Sequence, residues 1–321
     1  MIPWVEKYRP STTEGVVSHE LIIAAIRALI REGRLPHMIF YGKPGTGKTT
    51  LIKALMNELF GDAVSTHVLE LNASDDSGVD VIRQTVKGFV TSGSVLSQQS
   101  SSATKFKIVI MDECDHMSSV AQASLRRLME TSIKHARFCL LCNYPEKLLP
   151  AILSRCCAFR FLPVPRESCL LMLEKIADAE GMQMAPGALA AIHAVTDGDL
   201  RQAINVLQSL HLMTEKELAT ADDVYKLVAK PHPALGRELL RPMPYVEKYG
   251  QIQGCLAAGC SAEDVVQCVF RALMASEVEP RRKAEAVRAL ALVEEALALG
   301  AALESQVAGL SAALCRHAAG G

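Results

Sequence analysis

The segment that most constrains this chain is GKPGTGKTT, Gly42 to Thr50, set between the apolar run HMIFY (37–41) and the amphipathic run KTTLIKALMNELF. It satisfies G-x-x-x-x-G-K-[ST], and its flanks supply the strand before and the helix after that give the pattern physical meaning. Glycines at such a junction let backbone N–H groups curl around phosphate oxygens while the helix N-terminus adds a favourable field. Lys48 is placed to reach β- and γ-phosphates and Thr49 to hold Mg²⁺. Gly42, Lys43, Pro44, Gly45, Thr46, Gly47 and Thr50 complete the expected ATP cradle.

Four more strand-length apolar runs follow: VLELN (68–72), KIVIM (107–111), RFCLLCN (137–143) and AFRFL (158–162), with helical patterns between them. Such alternation implies an α/β domain with a parallel, doubly wound sheet. From Pro163 helical periodicity takes over, and KPHP (230–233) marks a further break. The expected organisation is a nucleotide-binding domain over 1–162, a small helical lid over 163–229 and an all-α domain over 230–321. The Ser-rich stretch 91–105 reads as an exposed loop.

Composition excludes several classes. Of 321 residues, 50% are hydrophobic and 21% charged, which rules out a disordered or fibrous chain. Net charge is −1, so any contact with DNA must come from a local patch. No run reaches the roughly 18 apolar residues of a membrane-crossing helix, and MIPWVEKYRP is charged where a signal peptide is greasy. An intracellular protein with no membrane role is expected. The ten cysteines are scattered, mostly in apolar runs, as suits buried thiols in a reducing compartment. Cys139 and Cys142 form C-x-x-C, but residues three apart on a strand point to opposite faces, so they do not readily chelate one ion.

KIVIMDECD ends an apolar strand in two carboxylates. Beside a phosphate loop, Asp112 is the metal-side candidate and Glu113 the group that orients or deprotonates the attacking water. Asn143 and Asn72 also end strands, where parallel sheets collect their ligands. Asn143 is a candidate for the γ-phosphate or the water and Asn72 for a hydrogen bond to Glu113, although Asn also favours turns. LPAILSRCCAF (149–159) raises a separate question, because Arg155 is a lone charge among apolar residues. It needs a partner in its own chain or outside it.

PWVEKYRP, GKPGTGKTT, LELNASDDSGVDVIR, KIVIMDECDHMSSVAQASLRRLME, RFCLLCNYPEKLLPAILSRC and TDGDLRQAINVLQS together resemble the small subunits of replication factor C, the eukaryotic and archaeal sliding-clamp loader. Weaker similarity through KPHPALGRELL and GCSAEDVVQCVFRAL points to the subunit numbered 2 in human and 4 in yeast nomenclature. The resemblance implies an AAA+ ATPase in a five-subunit ring, holding ATP and Mg²⁺, with a helical collar, the clamp PCNA and primer–template DNA as partners, and nuclear localisation in a eukaryote. It implies that Asn143 is the first sensor, Arg201 the second sensor, and Asn72 a switch restraining Glu113. Val5 and Val17 would line the adenine end of the ATP pocket, with Tyr8, Arg9 and Pro10 close by. Arg155 would complete a neighbour's ATP site in trans, where a fixed guanidinium meets transition-state charge. Arg83 and Lys87, at i and i+4, would track DNA phosphates without reading sequence. Residues near 88–104 would face the clamp.

Three positions depart from the family pattern: Ser77 replaces a usual basic residue, Lys43 a small or apolar one, and Cys114 makes DECD of DEAD. The last suggests an RNA helicase as an alternative, but a helicase needs a second strand-containing domain where this chain reads as helical. A nucleotide-binding structural subunit without turnover is the other alternative.

Overall fold

The computed structural model describes residues 2–73, 79–91, 106–133, 135–214 and 218–318, with the side chains of 79–83 and 317–318 outside that description. Ser77, the Arg83 side chain and residues 92–105 therefore lie outside it.

Five parallel strands form one sheet in the order β2-β3-β4-β1-β5: β1 (His37–Tyr41), β2 (Val68–Asn72), β3 (Lys107–Asp112), β4 (Ala136–Cys142) and β5 (Cys156–Arg160). Helices cover it: α1 (Glu20–Arg31), α2 (Lys48–Phe60), α3 (Val79–Thr91) and α4 (Ser119–Ser132). The alternation of a strand divides the core in two. Met38, Phe40, Ile108, Ile110, Cys139 and Leu141 pack with Ile26 of α1 and Leu51, Ile52 and Leu55 of α2. Ile39, Val109, Met111, Phe138, Leu140 and Cys142 pack with Val86 of α3 and Leu125, Leu128 and Met129 of α4. Cys139 and Cys142 thus occupy opposite faces, as the spacing requires.

The last strand differs from the apolar run that suggested it. The expectation was 158–162, but pairing starts at His37↔Cys156 and ends at Tyr41↔Arg160. Register with β1 decides the boundary, because an edge strand borrows its hydrogen bonds from its neighbour. Phe161 leaves the ladder, keeps one bond to Tyr41 O (2.7 Å), and buries its ring on the α1–α2 side.

After β5 the described chain is helical: α5 (Arg166–Ala179), α6 (Ala188–Thr196), α7 (Leu200–Thr214), α8 (Ala221–Val228), a short helix Pro233–Leu239, α9 (Tyr245–Ala257), α10 (Ala262–Ala275), α11 (Pro280–Ala298) and α12 (Leu303–Ala318). These helices stand where a helicase would place its second sheet. α8 starts at a capping box in which Thr220 and Asp223 satisfy each other's backbone N–H groups.

Two compact units make up the chain: Met1–Ile176 with Thr196–Asn205, and Ala177–Val195 with Val206–Gly321. The first contains the sheet. In the second, Leu239, Ile252, Val265, Val269, Leu290, Val307, Leu310 and Leu314 form a helical core. Buried within that unit, Lys248 of α9 directs its ammonium to the carbonyls of Leu239 (2.6 Å) and Leu314 (3.3 Å).

Candidate nucleotide-hydrolysing site

Strand register assembles the site. Tyr41 pairs with Cys142 and Met111 with Leu140, so Gly42, Asn143 and Asp112 emerge together at the carboxyl edge of the sheet. In open parallel sheets that edge is where ligands bind. The phosphate loop starts there and α2 begins at Lys48, with Gly47 in the left-handed region (φ 91°) as its N-cap.

Two glycines of the loop are required by close approach. A Cβ at Gly42 would stand 2.2 Å from Phe161 O, and one at Gly45 only 1.9 Å from Asp199 Oδ1. Asp199 also accepts the N–H of Gln202 at 3.0 Å, which fixes the first turn of α7, the turn that carries Arg201. Asp199 falls within TDGDLRQAINVLQS, a stretch in which the resemblance singles out only Arg201.

Lys48 makes three hydrogen bonds, to Gly42 O (2.7 Å), Lys43 O (2.9 Å) and Asn143 Oδ1 (2.9 Å). Burial lowers its pKa, Asp112, Cys142 and Asp115 act against that, and Arg201 adds to the lowering. Two cations facing one cavity favour an anionic ligand. Thr49 Oγ1 donates to Asp112 Oδ2 at 3.0 Å. A hydroxyl and a carboxylate side by side are hard oxygen donors of the kind Mg²⁺ takes while keeping several waters, so the residues present fit that ion.

Glu113 is exposed, directly after Asp112, with its backbone in the left-handed region (φ 55°, ψ 38°). A non-glycine residue there carries strain, which is characteristic of functional sites. Asn72 ends β2 in register with Asp112.

The cavity, of about 230 Å³, is lined by Lys48, Thr49, Asp112, Glu113, Asn143 and Arg201 at its polar end, with Pro44–Gly47 and Thr50 along the loop. Val5, Tyr8, Arg9, Pro10 and Val17 line it too, with Val16 and Ser18. Val164, just before α5, adds an apolar wall with Met172 of α5 and Ile204 of α7. Gly42 and Lys43 do not line it and instead hold Lys48 through their carbonyls. His19 braces the loop from outside: its Nε2 lies 3.2 Å from Thr46 O and its ring packs on Phe161 at 4.6 Å between centroids. Burial lowers the His19 pKa, opposed by the bond to Thr46.

Arg155 lies elsewhere. It follows the helical turn Pro150–Leu153, bonds Ala151 O at 2.7 Å and pairs with Glu130 of α4 at 2.9 Å, both side chains about 40% exposed. Lys87 is exposed on α3.

A Lys–Asn pair, a Thr–Asp pair and a cation on a helix, all at the carboxyl edge of this sheet, define a P-loop ATPase. A model of the ATPase family associated with various cellular activities matches residues 38–164, and a replication factor C C-terminal domain model matches 231–313. Replication factor C subunit 3 of Schizosaccharomyces pombe is 36% identical, over 98% of this chain and 90% of that protein. Subunit 3 of Saccharomyces cerevisiae is 43% identical, over 73% of this chain and 68% of its own length. The probable subunit 5 of Dictyostelium discoideum is 35% identical, over 96% and 89%. The RuvB Holliday junction branch migration motor of Thermotoga maritima shares the fold, with a TM-score of 0.55 at 15% identity over 97% of this chain and 91% of that one. The chain belongs to the replication factor C small-subunit family, and it is an AAA ATPase. These eukaryotic relatives carry the numbers 3 and 5, where the resemblance read from the sequence pointed to 2 and 4.

Proposed function

We propose that this ATPase works within a multi-subunit replication factor C ring that opens the sliding clamp PCNA and loads it onto primer–template DNA, in the place of a subunit of the 3 and 5 type. The observation that carries the reading is the convergence of Lys48 with Asn143 and of Thr49 with Asp112. ATP would lie along the loop with its phosphates at Lys48 and Arg201 and its base toward Val5, Arg9 and Val17. Thr49 and Asp112 would hold Mg²⁺, which when bound neutralises phosphate charge. Glu113 takes the proton of the attacking water, Asn143 aligns that water with the γ-phosphate, and Asn72 restrains Glu113 in the role of a switch.

Arg155 reaches the γ-phosphate of a neighbouring subunit. Exposure supports this, since its pairing with Glu130 is a surface ion pair of little intrinsic worth and easily exchanged. Arg83 and Lys87 contact the DNA backbone, and the segment 88–104 faces the clamp. The segments 1–162, 163–229 and 230–321 serve as nucleotide domain, lid and collar, consistent with where the two family matches fall. A eukaryotic source would place the chain in the nucleus.

The test is turnover and clamp loading by the assembled complex with Lys48→Ala or Arg155→Ala. Loss of about 10³-fold at the affected site is expected from removing a trans-acting arginine. Undiminished turnover with both variants would instead support a nucleotide-binding subunit without turnover of its own.

A further inference from the structure

Asp115 has no role in the chemistry above. It stands in the turn Cys114–His116 after the two carboxylates and is 6% exposed. Its Oδ2 accepts the N–H of Tyr144 at 3.3 Å, while its buried Oδ1 accepts no hydrogen bond from any described residue. Among the described residues it forms no ion pair.

Accepting one N–H does not require a charge. An asparagine would do it without the several kcal/mol that burial of an ionised carboxylate costs. The carboxylate adds a charge that an amide would not, and that charge bears on two neighbouring groups. Burial disfavours the Lys48 ammonium, and Asp115 is, with Asp112, one of the carboxylates that oppose this. The Cys142 thiol is pushed up to about 12 by burial and then by Asp115. Cys142, Asn143 and Tyr144 are consecutive, and Asn143 holds Lys48.

The geometry points to Asp115 as a positioning residue for ATP hydrolysis: its bond to Tyr144 sets the turn that presents Asn143, and its negative charge holds the Lys48–Asn143 pair beside Asp112. This rests on hydrolysis at this site.

Asp115→Asn separates the two parts, because it preserves shape and an acceptor for Tyr144 and removes only the charge. In the assembled complex kcat should fall roughly 10- to 100-fold, with KM for ATP within about twofold. The melting temperature should stay level or rise, since a buried charge has been removed. Lys48→Ala sets the turnover that remains when this site is silent. Wild-type kcat in Asp115→Asn would overturn the inference, as would a fall in melting temperature with a matching loss of ATP binding, the signature of a structural residue. If Lys48→Ala leaves turnover unchanged, the reading of the site fails first and the inference with it.

Discussion

Asp199 presses its carboxylate against Gly45, so that a methyl group at that glycine would stand 1.9 Å from Oδ1. The phosphate loop and the first turn of α7 are therefore fitted to each other, and the fit places Arg201. Gly45 also has φ 71°, which an alanine adopts only with strain. Overpacking costs about 1–3 kcal/mol, or about five- to 150-fold in an equilibrium. Gly45→Ala should weaken ATP binding by that factor, read by titration with a fluorescent ATP analogue.

Lys48 and Asn143 meet at 2.9 Å, and each is aligned by the other. Asn143→Ala should lower kcat by about 10²- to 10³-fold, the usual effect of removing one preorganised polar group from a transition state. ATP affinity should change far less, a split that single-turnover and equilibrium binding measurements would resolve.

His37 predicts an acid-side weakness. Burial, and then the charge of Arg137, lower its pKa from 6.5 to about 4. Its Nδ1 accepts the N–H of Phe138 at 3.1 Å, a bond that protonation destroys. The unfolded chain binds the proton more readily, so the contribution of His37 is complete above pH 6.5 and is lost as pH falls toward 4. Urea unfolding at several pH values should show this slope, and His37→Asn, which retains an acceptor and does not titrate, should flatten it.

In the helical unit, Lys248 bonds the carbonyl of Leu239, the last residue of its short helix, and that of Leu314 within α12. Lys248→Met keeps most of the apolar stem and leaves both carbonyls without this donor, at about 1–3 kcal/mol each. A loss of roughly 2–6 kcal/mol in unfolding free energy is expected, with no change in ATP affinity at the first unit.

Much of the nucleotide site was legible because its chemistry is local. Gly42 to Thr50 carries its own flanks, and Asp112 and Asn143 announce themselves by ending apolar strands. What escaped depends on contacts distant in sequence. Asp199 matters only because α7 begins against Gly45, His19 because its ring meets Phe161, and Asp115 because the turn after β3 approaches the turn after β4. The β5 boundary escaped for a related reason, since its limits belong to the register with β1 and its own residues alternate weakly in burial. The subunit type escaped differently: the motifs are shared across the family, so they identify the family more sharply than the member.

Cys157 is the one exposed thiol of the ten, two residues from Arg155 on the outer strand of the sheet. A thiol-directed reagent applied to the folded chain would mark it ahead of the shielded sulfurs. The chain thus carries a chemical reporter beside the arginine proposed to reach a neighbouring subunit. Slower labelling of Cys157 on assembly would register the approach of that neighbour without any engineered probe.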